Sequence, residues 1–394
     1  MTENSLFKNP SWHEARKIAY NAAATKKIIS LPLADTEGKT LAKDLKTKHP
    51  LPPFNTAMMD GYAVKGAGPW KIIGEVLAGS QTKEIADNEA IYIATGAMVP
   101  ASAELVVKHE VVEIKDQILY LLDKEQLIAG NHIRVIGDEG QTGATVFSQG
   151  MRINPATIGL AAASGLDELD VIENPTVDFI VSGDELLTSG LPRDGKIRDA
   201  LSMQIPGWIR SVDGLVGKNF SIKDDLNETI KAINECRADL ILTTGGTAAG
   251  EVDFMHQALA QTGFELVIDE VKVRPGHPMF LAKNSKNQFL VGLPGNPLAA
   301  FVSFLTLAMP IIEKMQGRFL KDLESGTLTD SAYTSKKEMR LFPVKVNNGL
   351  VEPLQFWGSM MLRGLAASSH FAIIEAGKGA SGEAVELIRL PWKS

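Results

Sequence analysis

Apolar and polar positions along this chain switch repeatedly between the period of a strand and the period of a helix. Residues 240–242 (LIL) form a short apolar, partly β-branched run that stops at two threonines and a glycine pair, and a helical pattern follows at about 253–261. Such a run, bounded by Gly-rich polar residues, predicts a buried strand, a tight loop and a helix start. Two more runs repeat the theme: 176–181 (TVDFIV), before Ser182-Gly183-Asp184-Glu185, and 288–293 (QFLVGL), before Pro294-Gly295-Asn296-Pro297. Helical stretches lie between them, at about 201–211 and 225–235. Strands alternating with helices predict a parallel sheet with helices on both faces. The three polar loops then gather at the strand carboxyl ends, the edge where ligands bind.

Elsewhere the pattern is shorter. Ser11 with Glu14 reads as a capping box, and Ala15, Ile18, Ala19, Ala22 and Ala23 follow at helical spacing. His13 then reads as a solvated first-turn residue. Strand-like runs fill 70–122 (WKIIGEVL, AIYIAT, ELVVKHEVVEI, QILYLL) and recur from 339 onward (MRLFPVKV, LVEPLQFW, HFAIIEA, AVELIRL), predicting two small β domains. His109 alternates with valines and reads as a sheet-surface residue. Residues 155–165 (PATIGLAAASG) read as a small-residue helix ending at glycine, and Asn174-Pro175 as a domain boundary. The longest apolar stretch, 297–312, follows a turn and carries Pro310, so it reads as a buried core helix rather than a membrane span.

Composition narrows the picture. A chain of 394 residues exceeds one ordinary core, and two to four domains are expected. A net charge of −7 argues against a large nucleic-acid footprint, while leaving room for a local basic cluster that holds a small anion. The single cysteine, Cys236, excludes an internal disulfide and any multi-cysteine metal site, and reads as a semi-buried helix residue. Residues 1–10 have no apolar core of the kind a secretory signal needs. The expectation is a cytoplasmic protein without a membrane segment.

The loops carry the candidate chemistry. A strand, a Gly-rich turn and a helix start make a cradle of backbone N–H groups for an anion. The spacing of Gly245 and Gly250 resembles a P-loop, but Glu251 and Val252 stand where Lys and Ser or Thr are needed, so a nucleotide triphosphatase is rejected. Residues 51–64 (LPPFNTAMMDGYAV) read as a loop that presents Asp60, and 131–150 as another that carries Arg134, Asp138 and Glu139. Taken singly, each residue has a plain structural role open to it. Asp224 can cap the helix near Asp225, Asp253 and Glu251 can complement a helix dipole, and Arg340 can be a surface charge.

In combination and order these stretches resemble the molybdopterin molybdenumtransferases, the MoeA family that includes the gephyrin E domain. The residues that carry the resemblance are PPFNTAMMDGYAV, TGAMVP, IRVIGDEG, GLAAASG, VSGDEL, GKIRD, TTGGTAAGEVD, VRPGHP and VGLPGNP, which span nearly the whole chain. The resemblance implies a multi-domain α/β plus β fold. Its central parallel-sheet α/β domain is adenylyltransferase-like, flanked by small β domains and a helical or mixed N-terminal domain. The implied division is 1–50 with 134–174 as a discontinuous N-terminal domain, 51–133 as a small β domain, 175–317 as the molybdopterin-binding α/β domain, and 318–394 as a C-terminal small β domain. The implied reaction inserts molybdate into adenylated molybdopterin with a divalent metal, Mg²⁺, releasing AMP and molybdenum cofactor. The implied assembly is a homodimer, with the upstream molybdopterin adenylyltransferase as a partner.

The resemblance also implies roles. Asp60, Glu185, Asp224 and Asp253 are the acidic positions, with Asp224 and Asp253 first to hold the metal. Thr95, Gly96, Ser182, Gly245, Gly246, Pro294, Gly295, Asn296, Pro297 and Glu139 shape the substrate groove. Arg274, His277, Arg340 and Ser359 receive molybdate. The chain departs from the family pattern where oxyanions are handled: Arg274 and His277 replace lysines, Glu270 stands where a lysine is common, and Ala248 replaces a serine. Arg keeps charge and adds bidentate geometry, whereas His is largely neutral at pH 7. These changes leave open a second reading, a catalytically weak molybdopterin-binding carrier or scaffold.

Overall fold

The structure, a computed structural model, describes residues 6–122, 127–245, 254–332 and 337–392. The chain divides into two compact units, one of residues 1–29, 38–40 and 172–394, the other of residues 30–37 and 41–171.

The second unit is built on a six-stranded sheet whose neighbours run, in order, 112–115, 118–121, 70–76, 89–93, 61–64 and 105–108. Strand Gly61–Val64 is buried throughout because it lies between two antiparallel neighbours. Helix Pro155–Ala163 starts with proline in its first turn, and Asn154 caps it by accepting from Thr157 N at 2.9 Å. His109 departs from the alternation that suggested a strand: it opens a single 3₁₀ turn, His109–Val111, between two strands, where it is exposed.

The first unit holds a seven-stranded sheet. Its order is Phe7–Lys8, Phe264–Asp269, Phe280–Asn284, Phe289–Leu293, Leu240–Thr244, Thr176–Ser182 and Leu215–Ile222. The last four strands are mutually parallel, and Leu240–Thr244 at their centre is wholly buried, as its continuous apolar run requires. Phe280–Asn284 runs antiparallel to both neighbours. The three strands read from the sequence at 176–181, 240–242 and 288–293 are parallel as expected, and with Phe280–Asn284 the complete sheet is mixed. The reason is local: the turn 270–279 is too short for the crossover that a parallel pair needs.

Helix Trp12–Ala22 begins with the predicted capping box, in which Ser11 N donates to Glu14 Oε2 at 2.9 Å. His13 in its first turn is half-buried and meets Glu386 Oε2 at 2.8 Å, so it is partnered rather than merely solvated. The apolar helix Pro297–Met315 includes a π turn at Phe304–Ala308, and 94% of its most apolar window is buried inside the protein. It is the core helix that its sequence predicts. A closed five-stranded barrel follows, in the order 324–328, 350–353, 340–347, 370–374 and 384–389. Barrel and sheet share one hydrophobic core: Phe301 of the helix lies 6.0 Å from Phe371 and 4.7 Å from Trp392, centroid to centroid.

Candidate active site

The parallel strands deliver their loops to one edge. Strand Thr176–Ser182 ends at Ser182, whose hydroxyl donates to the Asp224 carboxylate beyond the end of the neighbouring strand Leu215–Ile222. The other Asp224 oxygen accepts from Asp184 N at 3.3 Å. Asp225, not Asp224, caps the helix that follows, accepting from Glu228 N at 2.9 Å. Asp224 is thereby released from the structural role its position offered, and its carboxylate faces the loop that carries Glu185.

Gly245 closes this arrangement. Its φ is +86°, and a Cβ there would stand 3.2 Å from the Ser182 carbonyl oxygen. Its N–H donates to the Leu293 carbonyl at 3.3 Å, so the three loops touch through main chain. Gly246 and Asp253, assigned to the groove and to the metal, lie outside the described residues.

The loop 294–297 leads into the core helix without a side-chain cap from Asn296. The Ser359 carbonyl takes that role, accepting from Leu298 N at 2.9 Å and Ala299 N at 3.3 Å. Ser359 therefore reaches the edge of the site through its main chain. Its neighbour Met360 lines a cleft of about 310 Å³ together with Ser182, Glu185, Thr244, Gly295, Asn296 and Pro297. Residues 197–201 complete the wall. Asp199 is buried there, one residue before the N-cap Ala200 of helix Leu201–Ser211, and accepts from Leu201 N at 2.9 Å and Ser202 N at 3.0 Å. Among the described residues of the wall, Arg198 and Asp199 fall in the GKIRD stretch, to which the sequence assigned no role, and Met360 lies outside every stretch singled out there. An aspartate two residues before a helical run is a cap signal, and it could have marked Asp199.

The residues expected to receive an oxyanion lie around the turn 270–277. Gly276 packs this turn on the core helix: a Cβ there would lie 3.3 Å from the Ala299 carbonyl. Arg274 pairs with Arg340 across a parallel bridge, with Leu341 N donating to Arg274 O at 2.9 Å. Neither guanidinium stands alone. Arg274 Nε donates to both Glu338 oxygens at 3.2 Å, and the Arg340 guanidinium lies 4.8 Å over the Trp357 ring. His277 is held between the Val271 carbonyl, 2.8 Å from Nδ1, and Glu270, 3.6 Å from Nε2.

Asp60, Thr95, Gly96 and Glu139 belong to the second unit, where they converge. Strand Thr56–Ala57 pairs with Ile133–Arg134, and Gly96 N donates to Ala57 O at 2.8 Å. Glu139 accepts from Arg134 Nη2 at 2.6 Å, while Glu139 N donates to Leu51 O at 2.8 Å. Asp60 accepts from Thr95 N at 2.7 Å and from Thr95 Oγ1 at 2.8 Å. These two bonds hold its carboxyl below the usual aspartate range. Three separated motifs are thus braced through main chain, with Asp60 held by Thr95 and Glu139 by Arg134.

Among the described residues no three His, Cys, Asp or Glu side chains form a metal-binding group. A hard ion such as Mg²⁺ needs few protein ligands, because it keeps water and takes oxygens from a bound phosphate. Asp224, a pinned carboxylate with lone pairs to spare, fits that need, with Glu185 on the adjoining loop. A larger cavity of about 530 Å³ opens at the opposite sheet edge, beside Cys236, Asp239, Asn284 and Gln288. Its polar groups are already matched: Gln288 Nε2 donates to Ala238 O at 2.8 Å and Lys26 Nζ to Asp239 Oδ1 at 2.6 Å. Burial pushes the Cys236 thiol up to about 12, so it is no nucleophile.

Known proteins repeat both units. A family model described as MoeA N-terminal region (domain I and II) matches residues 10–165, and one described as probable molybdopterin binding domain matches 178–314. The chain is 30% identical over 319 residues to a molybdopterin molybdenumtransferase of Staphylococcus aureus, covering 77% of this chain and 75% of that one. It is 28% identical to the Bacillus subtilis protein of the same name, covering 71% and 69%. A molybdopterin biosynthesis MoeA protein from Pyrococcus horikoshii superposes with a TM-score of 0.78 at 23% identity, covering 96% of this chain and 99% of that one.

Proposed function

This chain belongs to the molybdopterin molybdenumtransferase family, a family of transferases in molybdenum cofactor biosynthesis, and we propose that it inserts molybdate into adenylated molybdopterin with Mg²⁺, releasing AMP and molybdenum cofactor. The observation that carries the reading is the junction of Ser182, Asp224 and Gly245 beside the 310 Å³ cleft. The reaction splits a phosphoanhydride, so the site needs donors for phosphate oxygens and acids that tolerate a cation.

Each residue then has a task. The glycine at 245 lets backbone approach the substrate closely. Ser182 and Asp184 N orient Asp224, and Asp224 with Glu185 would hold the metal; Asp253 is the further ligand proposed. When bound, that ion supplies Lewis-acid polarisation of the anhydride oxygens. Pro294 to Pro297 shape the cleft floor. Asp60, kept ionised by Thr95, and Glu139, fixed by Arg134, are further acidic positions proposed for the reaction. Arg274, His277, Arg340 and Ser359 receive molybdate. We assign the reaction to the cytoplasm and to a homodimer, with the upstream adenylyltransferase as supplier of substrate.

A second reading is favoured by one observation: Glu338 occupies Arg274 and Glu270 faces His277. Carboxylates already in place oppose an incoming dianion. A carrier that binds the pterin without turnover has no need to displace them.

The deciding experiment combines purified protein, adenylated molybdopterin, Mg²⁺ and molybdate, and follows AMP and active cofactor. Turnover that is lost on chelation and in Asp224→Ala supports the transferase. Tight binding of the pterin with no AMP at any molybdate concentration would sink it and leave the carrier.

A further inference from the structure

Among the described residues, the cleft is lined by one cationic side chain. Residues Leu186–Leu187 and Ile197–Arg198 form a small two-stranded ladder on its wall. Arg198 is fixed there from both sides. Asp199 N donates to Leu187 O at 3.0 Å, and the buried Asp199 carboxylate is committed to the first turn of helix Leu201–Ser211. The Arg198 backbone thus has little freedom, while its side chain is exposed.

The Arg198 guanidinium donates from Nη1 to Leu187 O at 3.3 Å and, among the described residues, is bonded to no carboxylate. Among the described residues that line the cleft it is the one basic side chain. The contrast with the turn 270–277 is chemical. Arg274 spends its Nε on Glu338, and His277 faces Glu270. Arg198 keeps most of its donors open, in a cleft that also contains the Glu185 carboxylate. An anion entering that cleft meets repulsion from Glu185 unless a cation offsets it. A guanidinium is suited to a phosphate oxygen pair, because its planar fork matches the geometry.

We infer that Arg198 is a substrate-binding residue that takes phosphate oxygens of the anhydride-bearing pterin at the cleft, an inference that rests on the functional reading above. Its charge acts on binding, and not on the bond that breaks. It is therefore a determinant of KM and of salt sensitivity.

The test compares Arg198→Gln, Arg198→Lys and Arg193→Gln with the unaltered protein, at low and at near-physiological salt. Arg193 sits on the same exposed loop, outside the cleft lining, and controls for general charge. Arg198→Gln is expected to raise KM for adenylated molybdopterin about tenfold or more, with kcat held within about twofold. Its KM should also lose most of its salt dependence. Arg198→Lys should recover part of the loss, and Arg193→Gln should match the unaltered protein. Melting temperatures verify that each variant is folded. An unchanged KM in Arg198→Gln, or a fall in kcat alone, overturns the assignment. If the unaltered protein binds the pterin without turning it over, the transferase reading fails alone. Equilibrium dialysis then decides Arg198 by the same tenfold criterion on Kd. If the unaltered protein does not bind the pterin at all, both fall together.

Discussion

The Ser182 hydroxyl donates to the Asp224 carboxylate across the ends of two neighbouring parallel strands. The next residue, Asp225, does the structural work by capping its helix. Two adjacent aspartates therefore divide function from stability. Asp224→Ala should lower turnover by about a hundredfold or more while shifting the melting temperature little. Asp225→Ala should do the reverse, costing about 1 kcal/mol of stability with turnover kept. Parallel kinetics and thermal melts on the two variants check this, and equal losses of activity in both would refute the division.

Gly245 is where three loops meet. With φ at +86° and the Ser182 carbonyl 3.2 Å from any Cβ, alanine there meets both strain and a crowded neighbour. Gly245→Ala is expected to cost about 1–2 kcal/mol. Turnover should fall further than stability, since the Ser182–Asp224 contact moves with the loop. Chemical denaturation together with kcat/KM separates the two effects.

Asp178 is buried beneath the edge strand Leu215–Ile222. Its carboxylate accepts from Lys218 N at 2.6 Å, Arg237 N at 3.0 Å and Ala238 N at 3.2 Å. The strand pairing shifts register just there, so the side chain satisfies main chain that the ladder leaves unpaired. Asp178→Ala orphans those donors and should destabilise the protein by roughly 2–4 kcal/mol. Asp178→Asn, which keeps an acceptor, should lose less, and urea unfolding gives the ranking.

Glu313 is buried on the core helix, and desolvation raises its pKa from 4.5 to about 7 despite the nearby Arg16, Lys321 and Arg318. The folded state thus holds the proton to higher pH than the unfolded chain does. The stabilisation is complete below about pH 4.5 and is lost as pH rises through about 7. Its size is on the order of 3 kcal/mol. Glu313→Gln should flatten the fall of melting temperature between pH 5 and 7.5. His132 and His370, whose pKa values burial lowers, act with the opposite sign in that window, so the difference between variant and unaltered protein is the measurement. Identical slopes in the two proteins would falsify the assignment to Glu313.

Much of the fold was legible because it rests on local pattern. The run 240–242 could only be a buried strand. Ser11 with Glu14 announced a helix, and the apolar 297–312 stretch announced a core helix. The three polar loops after 182, 244 and 293 were readable as one edge, because parallel strands must end together. Illegible were features that depend on what a side chain meets. Nothing in Asp224-Asp225 says which aspartate caps and which reaches Ser182. The pattern around His109 looked like a strand and became a single 3₁₀ turn. The antiparallel strand 280–284 came from a short connection that periodicity does not register.

The sequence by itself determined the strands, the helices, the loop chemistry and the order of motifs that identifies the family, since these follow from spacing and residue type along the chain. Tertiary structure alone decided which charges are spent and which stay open. Arg274 is tied to Glu338 across 64 positions of sequence and His277 to Glu270 across a turn, whereas Arg198, held in place by its buried neighbour Asp199, bonds no carboxylate among the described residues. Pairing between charges is set by distance in space, and no periodicity along a chain encodes it.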